Sequence, residues 1–422
     1  MREMKDSGIE WIGAIPTTWH TQKMKYISNF TQNKYSSDYG LLPYIGLENI
    51  ASWSGSFIST NSQYDREQSL ICEPEDILFG KLRPYLAKVY MNDRLCCCSN
   101  EFAVIRVNGQ NKRYMWYQLL SHGFIFEIDR STYGTKMPRA NAEFIRNVFV
   151  ALPSEIEQQK IANYLDKMCA EIDTVLEKTR ASIEEYKKLK QAVITQAVTK
   201  GVRGDRPMKN SGIEWIGEIP AGVLISRMGL HFDIVLGKML CSAPVDDNYT
   251  LESYYCAADI HFEGISNGEK KKMWFSPVEK EQYCVRKGDL LVVEGGAGAG
   301  GCAIAVGADT PMYIQNSIMI VRSKGISNIR YLRYLLECLV KKGYIDVLCN
   351  KATIPHFTKD KLANVPFIVF PQGEQEEIAD YLDDKCSGID ALIAKKQQYL
   401  TEIENYKKSL IYEYVTGKKE IV

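Results

Sequence analysis

The sequence predicts an α+β chain built as a pseudo-two-fold internal repeat: two mixed, mainly β domains, each followed by a long helix with a coiled-coil seam. Three observations carry this. The block Met4 to Pro16 (MKDSGIEWIGAIP) recurs as Met208 to Pro220 (MKNSGIEWIGEIP), with eleven identities in 13 positions. A second block, Glu157 to Asp166 (EQQKIANYLD), recurs as Glu374 to Asp383 (EQEEIADYLD). Between the blocks lie aromatic and β-branched runs bounded by turn residues. With 422 residues the chain is too long for one core, and its 45% hydrophobic and 25% charged content excludes a disordered or collagenous protein.

In order along the chain, residues 1–152 form the first domain. Strand-like runs such as Glu101-Phe102-Ala103-Val104-Ile105-Arg106-Val107 punctuate it. Residues 153–201 form the first long helix. Ser154 and Glu157 after Pro153 make a capping box, and Gly201 is the C-terminal stop. Residues 202–370 form the second domain, with Asp289-Leu290-Leu291-Val292-Val293 as its clearest strand. Asp289-Leu290-Leu291 answers Asp76-Ile77-Leu78 in the first domain, although the domains otherwise match poorly. Residues 371–422 form the second helix, with Gly417 as its stop.

The helix seams follow alternating spacings of four and three. In the first helix they run Ile161, Leu165, Met168, Ile172, Val175, Thr179, Ser182, Tyr186, Leu189, Val193. In the second they run Ile378, Leu382, Lys385, Ile389, Leu392, Lys396, Tyr399, Ile403, Tyr406, Leu410. Ile161, Leu165, Ile172, Tyr186, Ile378, Leu382, Ile389 and Tyr406 are the expected interface residues, and each helix is the obvious partner of its twin.

Composition narrows function. The 52 Lys+Arg balance 52 Asp+Glu, which counts mildly against binding nucleic acid by charge alone. The 12 cysteines include the adjacent Cys96, Cys97 and Cys98 but no C-x-x-C, so buried thiols are expected and no metal. No apolar run reaches membrane-spanning length, and the charged, glycine-broken start lacks a signal-peptide core, so a cytoplasmic chain without a membrane partner is expected.

Gly296-Ala297-Gly298-Ala299-Gly300-Gly301 matches the dinucleotide fingerprint G-x-G-x-x-G. However, the following Cys302-Ala303-Ile304 is β-like and Asp309 comes too early, so a flexible loop is expected. The corresponding stretch of the first half, Gly80 to Lys88 (GKLRPYLAK), offers Lys81, Arg83, Tyr85 and Lys88 for phosphates or guanine edges. A second cationic loop holds Lys136 and Arg139, and its counterpart holds Lys351, Thr353 and His356. Lys270-Lys271-Lys272 reads as solvated surface. The five histidines are isolated and no catalytic motif emerges, so binding is favoured over catalysis.

Together the Ser7-to-Pro16 stretch, Asp76-Ile77-Leu78-Phe79-x-Lys81-Leu82-Arg83-Pro84-Tyr85, and the Glu157-to-Asp166 stretch resemble the specificity (S) subunit of type I restriction–modification systems. The resemblance covers essentially the whole chain. It implies two target-recognition domains joined by two conserved helices that pack antiparallel. It also implies double-stranded DNA as ligand, read as a split site with one half-site per domain and a spacer set by the helices. This chain would bind no cofactor. Two modification (methyltransferase) subunits would bring S-adenosylmethionine and adenine methylation, and restriction (translocase/nuclease) subunits would bring ATP and Mg. The second copy departs by lacking Trp19, with Leu224 nearby, and by lacking the cations of the first loop. The alternative readings are a pseudo-dimeric protein-binding scaffold and a DNA enzyme with an unrecognised active site.

Overall fold

The computed structural model describes residues 2–60, 68–132, 136–307, 309–349 and 356–421. Contacts divide the chain into two compact units, residues 1–180 with 397–422 and residues 181–396. Each long helix therefore contributes to both. Among the described residues no helix is long and apolar enough to cross a membrane.

The first unit is built on an antiparallel sheet of β1 (Ser28–Thr31), β2 (Ile77–Gly80), β3 (Val89–Met91) and β4 (Phe102–Val107), in the order β1-β4-β2-β3. Its register places Val104 opposite both Thr31 and Leu78. Ala103, Ile105 and Val107 face the main core with helix α1 (Lys112–Leu120), while Phe102 and Val104 face a smaller cluster around Ile45, Cys72 and Cys98. Both faces are covered, so β4 reads as a nearly unbroken apolar run instead of an alternating one. The second unit repeats this sheet with β5 (Phe232–Leu236), β6 (Leu290–Val293), β7 (Cys302–Ile304) and β8 (Ile318–Ser323), in the order β5-β8-β6-β7. Leu290 and Val292 face one cluster, Leu291 and Val293 the other.

The shared Asp-Ile/Leu-Leu motif has a physical cause. Asp76 is buried just before β2 and accepts two hydrogen bonds, each 2.9 Å, from the fork of Arg106 on β4. Asp289, buried just before β6, does the same with Arg322 on β8 at 2.8 and 2.7 Å. A carboxylate in that position needs a full-time cation.

Helix α2 spans Glu155–Lys200, and helix α4 spans Gln372–Val415; between them α3 (Ile329–Lys341) is the counterpart of α1. Ser154 Oγ accepts the Glu157 amide at 3.4 Å, half of the expected capping box. The Glu157 carboxylate instead accepts from Trp19 Nε1 at 3.1 Å and pairs with Arg2 at 2.5 Å. Gly201 and Gly417 take the left-handed conformation that closes each helix, at φ of 76° and 71°.

The helices run antiparallel within each unit. In the first, Asp173 meets Lys407 at 2.7 Å and Arg180 meets Glu404 at 2.5 Å. In the second, Lys190 meets Asp390 at 2.6 Å. The seam itself differs from the sequence reading. It follows Ala162, Leu165, Cys169, Ile172, Leu176, Thr179 and Ile183 in α2, and Ala379, Leu382, Cys386, Ile389, Ile393, Lys396, Leu400, Ile403, Lys407 and Leu410 in α4. Every second position thus moves by one residue, about 100° around the helix. Val175, Leu189, Leu392 and Tyr399 lie exposed, as does Tyr406 at 51%. Lys407 lies on this seam and extends its ammonium to Asp173 at the rim. Of the expected interface residues, Ile161, Leu165, Ile172, Ile378, Leu382 and Ile389 are buried inside their own unit, and Tyr186 is half-buried. Burial pushes the Cys169 and Cys386 thiols up to about 11, as inert core groups.

Each unit also takes in the end of the other domain's helix. Tyr114 of α1 donates to Val415 O of α4 at 3.0 Å and to Ala151 O at 2.8 Å. Tyr331 of α3 donates to Val198 O of α2 and to Ile368 O, both at 3.1 Å. The repeated 13-residue block helps grip these ends, which explains its recurrence. Tyr412 donates to Trp11 O at 3.0 Å, and Trp215 packs in the cluster that holds Ile194 and Val198. The residue matching Trp19 is not Leu224, which is exposed, but buried Val223. Their amides make the same turn to Pro16 O and Pro220 O, both at 2.9 Å.

A pH response follows in the second unit. His231 is buried, 3.1 Å from Ser327 Oγ and stacked near Phe367. Burial, aided by Lys324, holds its pKa below the ordinary 6.5. The unfolded chain then binds the proton first, so this stabilisation is complete above the ordinary value and is lost as pH falls through the depressed one. Melting of the second unit is expected to shift downward as pH falls below about 6.5. His231→Gln should flatten that slope, and an unchanged slope would remove the assignment.

Candidate nucleic-acid interface

The two cationic segments of the first domain come together in the fold. The loop after β2 is clasped to the segment before Asn141: Arg83 N–H donates to Pro138 O at 2.7 Å and Ala140 N–H to Lys81 O at 2.9 Å. Leu82 bridges to Arg139 in antiparallel fashion. Arg83 and Ala87 hold φ of 50° and 46°, flanking the 3-10 turn Pro84–Leu86. Left-handed non-glycine residues cost about 1 kcal/mol or more each, so the surroundings enforce this loop shape.

The second domain builds the same platform from different residues. Gly80 N–H donates to Lys88 O at 2.9 Å, and Val293 N–H donates to Gly301 O at 2.8 Å. Lys81 N–H reaches Glu101 O and Glu294 N–H reaches Ser317 O, both at 2.8 Å. Gly295 bridges to His356 as Leu82 does to Arg139. In this alignment Gly296 and Gly300, at φ of 86° and 82°, stand where Arg83 and Ala87 stand in the first domain. The apparent dinucleotide fingerprint is therefore a loop with two left-handed positions, and glycine fills them without strain.

The sequence-predicted residues fall into distinct settings. Arg83 and Lys136 are exposed. Lys81 is half-buried, and burial lowers its pKa while Glu101 raises it. Arg139 forms an ion pair with Glu101. Lys88 donates to Leu47 O at 2.7 Å, so its ammonium anchors the loop rather than standing free. Tyr85 lines a cleft of about 430 Å³ with Trp53, His122, Phe126 and Lys408. His356 is exposed, with Nδ1 3.4 Å from Glu294 Oε2. Lys351 and Thr353 lie outside the described residues. Of the lysine run, Lys270 is tied to Asp259 at 2.6 Å, while Lys271 and Lys272 are exposed. Glu101 and Glu294 were missed by sequence reasoning. Anchoring the two halves on Asp76 and Asp289 sets Lys81 directly opposite Glu294.

No group of three or more His, Cys, Asp or Glu among the described residues is placed to hold a metal ion. The described residues of the platforms offer hydrogen-bond donors and acceptors of the kind that recognition uses.

Comparisons with known proteins agree with this reading. The type I restriction modification DNA specificity domain matches the chain twice, over residues 16–185 and 261–404. The MjaVIII specificity subunit of a type I restriction enzyme from Methanocaldococcus jannaschii is 26% identical over 334 residues, covering 75% of this chain and 73% of that protein. Among solved structures, a chain from a study of complex assembly and conformational transition of the type I R-M system superposes with a TM-score of 0.76 at 19% identity, covering 96% of this chain and 99% of that one. The HsdS subunit from Thermoanaerobacter tengcongensis superposes with a TM-score of 0.54, also at 19% identity, covering 96% and 98%. The structural likenesses establish the shared fold, and the twice-matched domain establishes the family. The chain belongs to the type I restriction–modification DNA specificity family, as a DNA-recognising, non-catalytic specificity subunit.

Proposed function

We propose that each unit reads one half of a bipartite double-stranded DNA target, and that the length of the paired helices sets the unread spacer. The observation supporting this is the recurrence of one loop platform, clasped in the same way, in both units. Lys81, Arg83, Lys136 and Arg139 contact the first half-site; His356, with Lys351 and Thr353, contacts the second. Lys88 and Tyr85 shape the first loop. Two modification subunits supply S-adenosylmethionine and adenine methylation, restriction subunits supply ATP- and Mg-dependent cleavage, and the complex works in the cytoplasm.

The test is an adenine-methylation map of cells expressing the modification subunit with and without this chain. A new split motif around a fixed spacer is expected. No new motif from an assembled complex would overturn the proposal. Arg83→Ala is expected to lower methylation of the native site by roughly 5- to 150-fold, the range for one lost base contact. Full methylation by that variant would remove Arg83 from the interface. Because the formal net charge is zero, phosphate neutralisation by the isolated chain is weak. Nanomolar DNA binding in physiological salt is accordingly expected only with the modification subunits.

A further inference from the structure

The matched platforms carry opposite charge at one place. Lys81, Glu101 and Arg139 of the first unit correspond in backbone position to Glu294, Ser317 and His356 of the second. In the first, one oxygen of Glu101 holds Arg139, its other oxygen is buried without a hydrogen-bond partner among the described residues, and the Lys81 ammonium adds a second cation beside it. That place presents donors. In the second unit the loop Gly295 to Gly301 has only glycine and alanine, so Glu294 alone brings polar side-chain chemistry from that loop.

Among the described residues Glu294 is not consumed by structure. Its side chain is 16% exposed, and the one hydrogen-bonding or ion-pair partner of its carboxylate among the described residues is His356 at 3.4 Å, itself 61% exposed. That is longer than a good charge-assisted bond, so the carboxylate keeps acceptor capacity. A carboxylate close to a polyanion is unfavourable unless a donor meets it, and the same repulsion rejects the wrong base. Carboxylates accept from base amino groups in the major groove, whereas Lys and Arg donate to O6 and N7 of guanine.

We infer that Glu294 is a specificity-determining residue of the second half-site. Its carboxylate accepts from a base amino group, cytosine N4 or adenine N6, at the place where Lys81 and Arg139 meet an acceptor edge in the first. The bare glycine loop beside it lets the backbone approach the DNA where Arg83 projects in the other unit. This rests on the reading that each unit takes one half-site.

The experiment maps methylation by the complete complex with modification subunits, using wild-type chain, Glu294→Gln and Glu294→Lys. With Glu294→Gln, discrimination at one base position of the second half-site should fall roughly 5- to 150-fold while the first half-site is read as before. Glu294→Lys should move that position towards guanine. The identity of the base shows whether cytosine or adenine supplies the amino group. Unchanged reading by Glu294→Gln, or equal relaxation at every position of both half-sites, overturns the inference. If the Glu294 variants fail to assemble, Lys81→Gln carries the same test: it should relax one position of the first half-site, and unchanged reading overturns the matched-place argument. A wild-type complex giving no split motif brings down the half-site reading itself. A wild-type split motif that Glu294→Gln leaves intact overturns only the inference.

Discussion

A chain ended at Tyr399 is expected to lose the fold of its first unit, residues 1–180, while the second unit keeps its own. The truncation removes Leu410, Ile411, Tyr414 and Val415, all buried in the same cluster as Trp11, Tyr114 and Leu165. At about 1.5–3 kcal/mol for each buried side chain, the loss is about 6–12 kcal/mol, the size of the whole stability of an ordinary domain. It also strips Val415 O from Tyr114 and Gln118, leaving donors buried in the core with one acceptor fewer. The second unit draws its matching helix end, Ile194, Ala197 and Val198, from α2 and is untouched. Limited proteolysis with mass analysis reads the result directly. A protease-resistant fragment of residues 1–180 in the truncated chain would sink the argument.

That dependence was partly legible in the sequence. The recurrence of MKDSGIEWIGAIP and EQQKIANYLD revealed two copies because these segments pack against each other's helices, where both copies face the same neighbours. What the letters could not show was which domain each helix end enters. The match between Ile183-to-Lys188 and Ile403-to-Lys408 is displaced by three residues from the match at the helix starts. The ion pairs Asp173–Lys407 and Lys190–Asp390 nevertheless keep the spacing of the helix starts. Sequence similarity and structural equivalence thus part company halfway along the rods.

The seam was misread because alternating spacings of four and three also fit the neighbouring track, and the sequence reading set every second position one residue early. Ile183, Ile393 and Leu400 turn inward where Ser182, Leu392 and Tyr399 were read. In the candidate interface the cations of the first loop were visible as cations. Glu101, which pairs with Arg139, and Glu294, which pairs with His356, were not, because each pair joins segments distant in sequence.

Asp76→Ala and Asp289→Ala should each destabilise their own unit by about 3–5 kcal/mol, the cost of removing one partner from a buried charge pair. Both side chains are almost fully buried, at 2% and 6% exposure. Each also accepts a backbone amide, from Glu73 at 2.8 Å and from Arg286 at 2.7 Å, so the substitution frees a turn as well as an arginine. The effect should be smaller for Asp76, because Glu73 still pairs with Arg106 at 2.9 Å. It should be larger for Asp289, because among the described residues Arg322 keeps only Cys284 O at 2.8 Å. Two-transition melting of the full chain measures both, and a loss below about 1 kcal/mol in either unit would place these pairs with ordinary surface bridges. The location explains why this motif recurs between domains that otherwise diverge. The aspartate fixes the entry to β2 or β6, and the exit of the same strand carries Lys81 or Glu294. The side chains of these loops can then change while the strand beneath them stays in register, and the Asp–Arg pair holds that register.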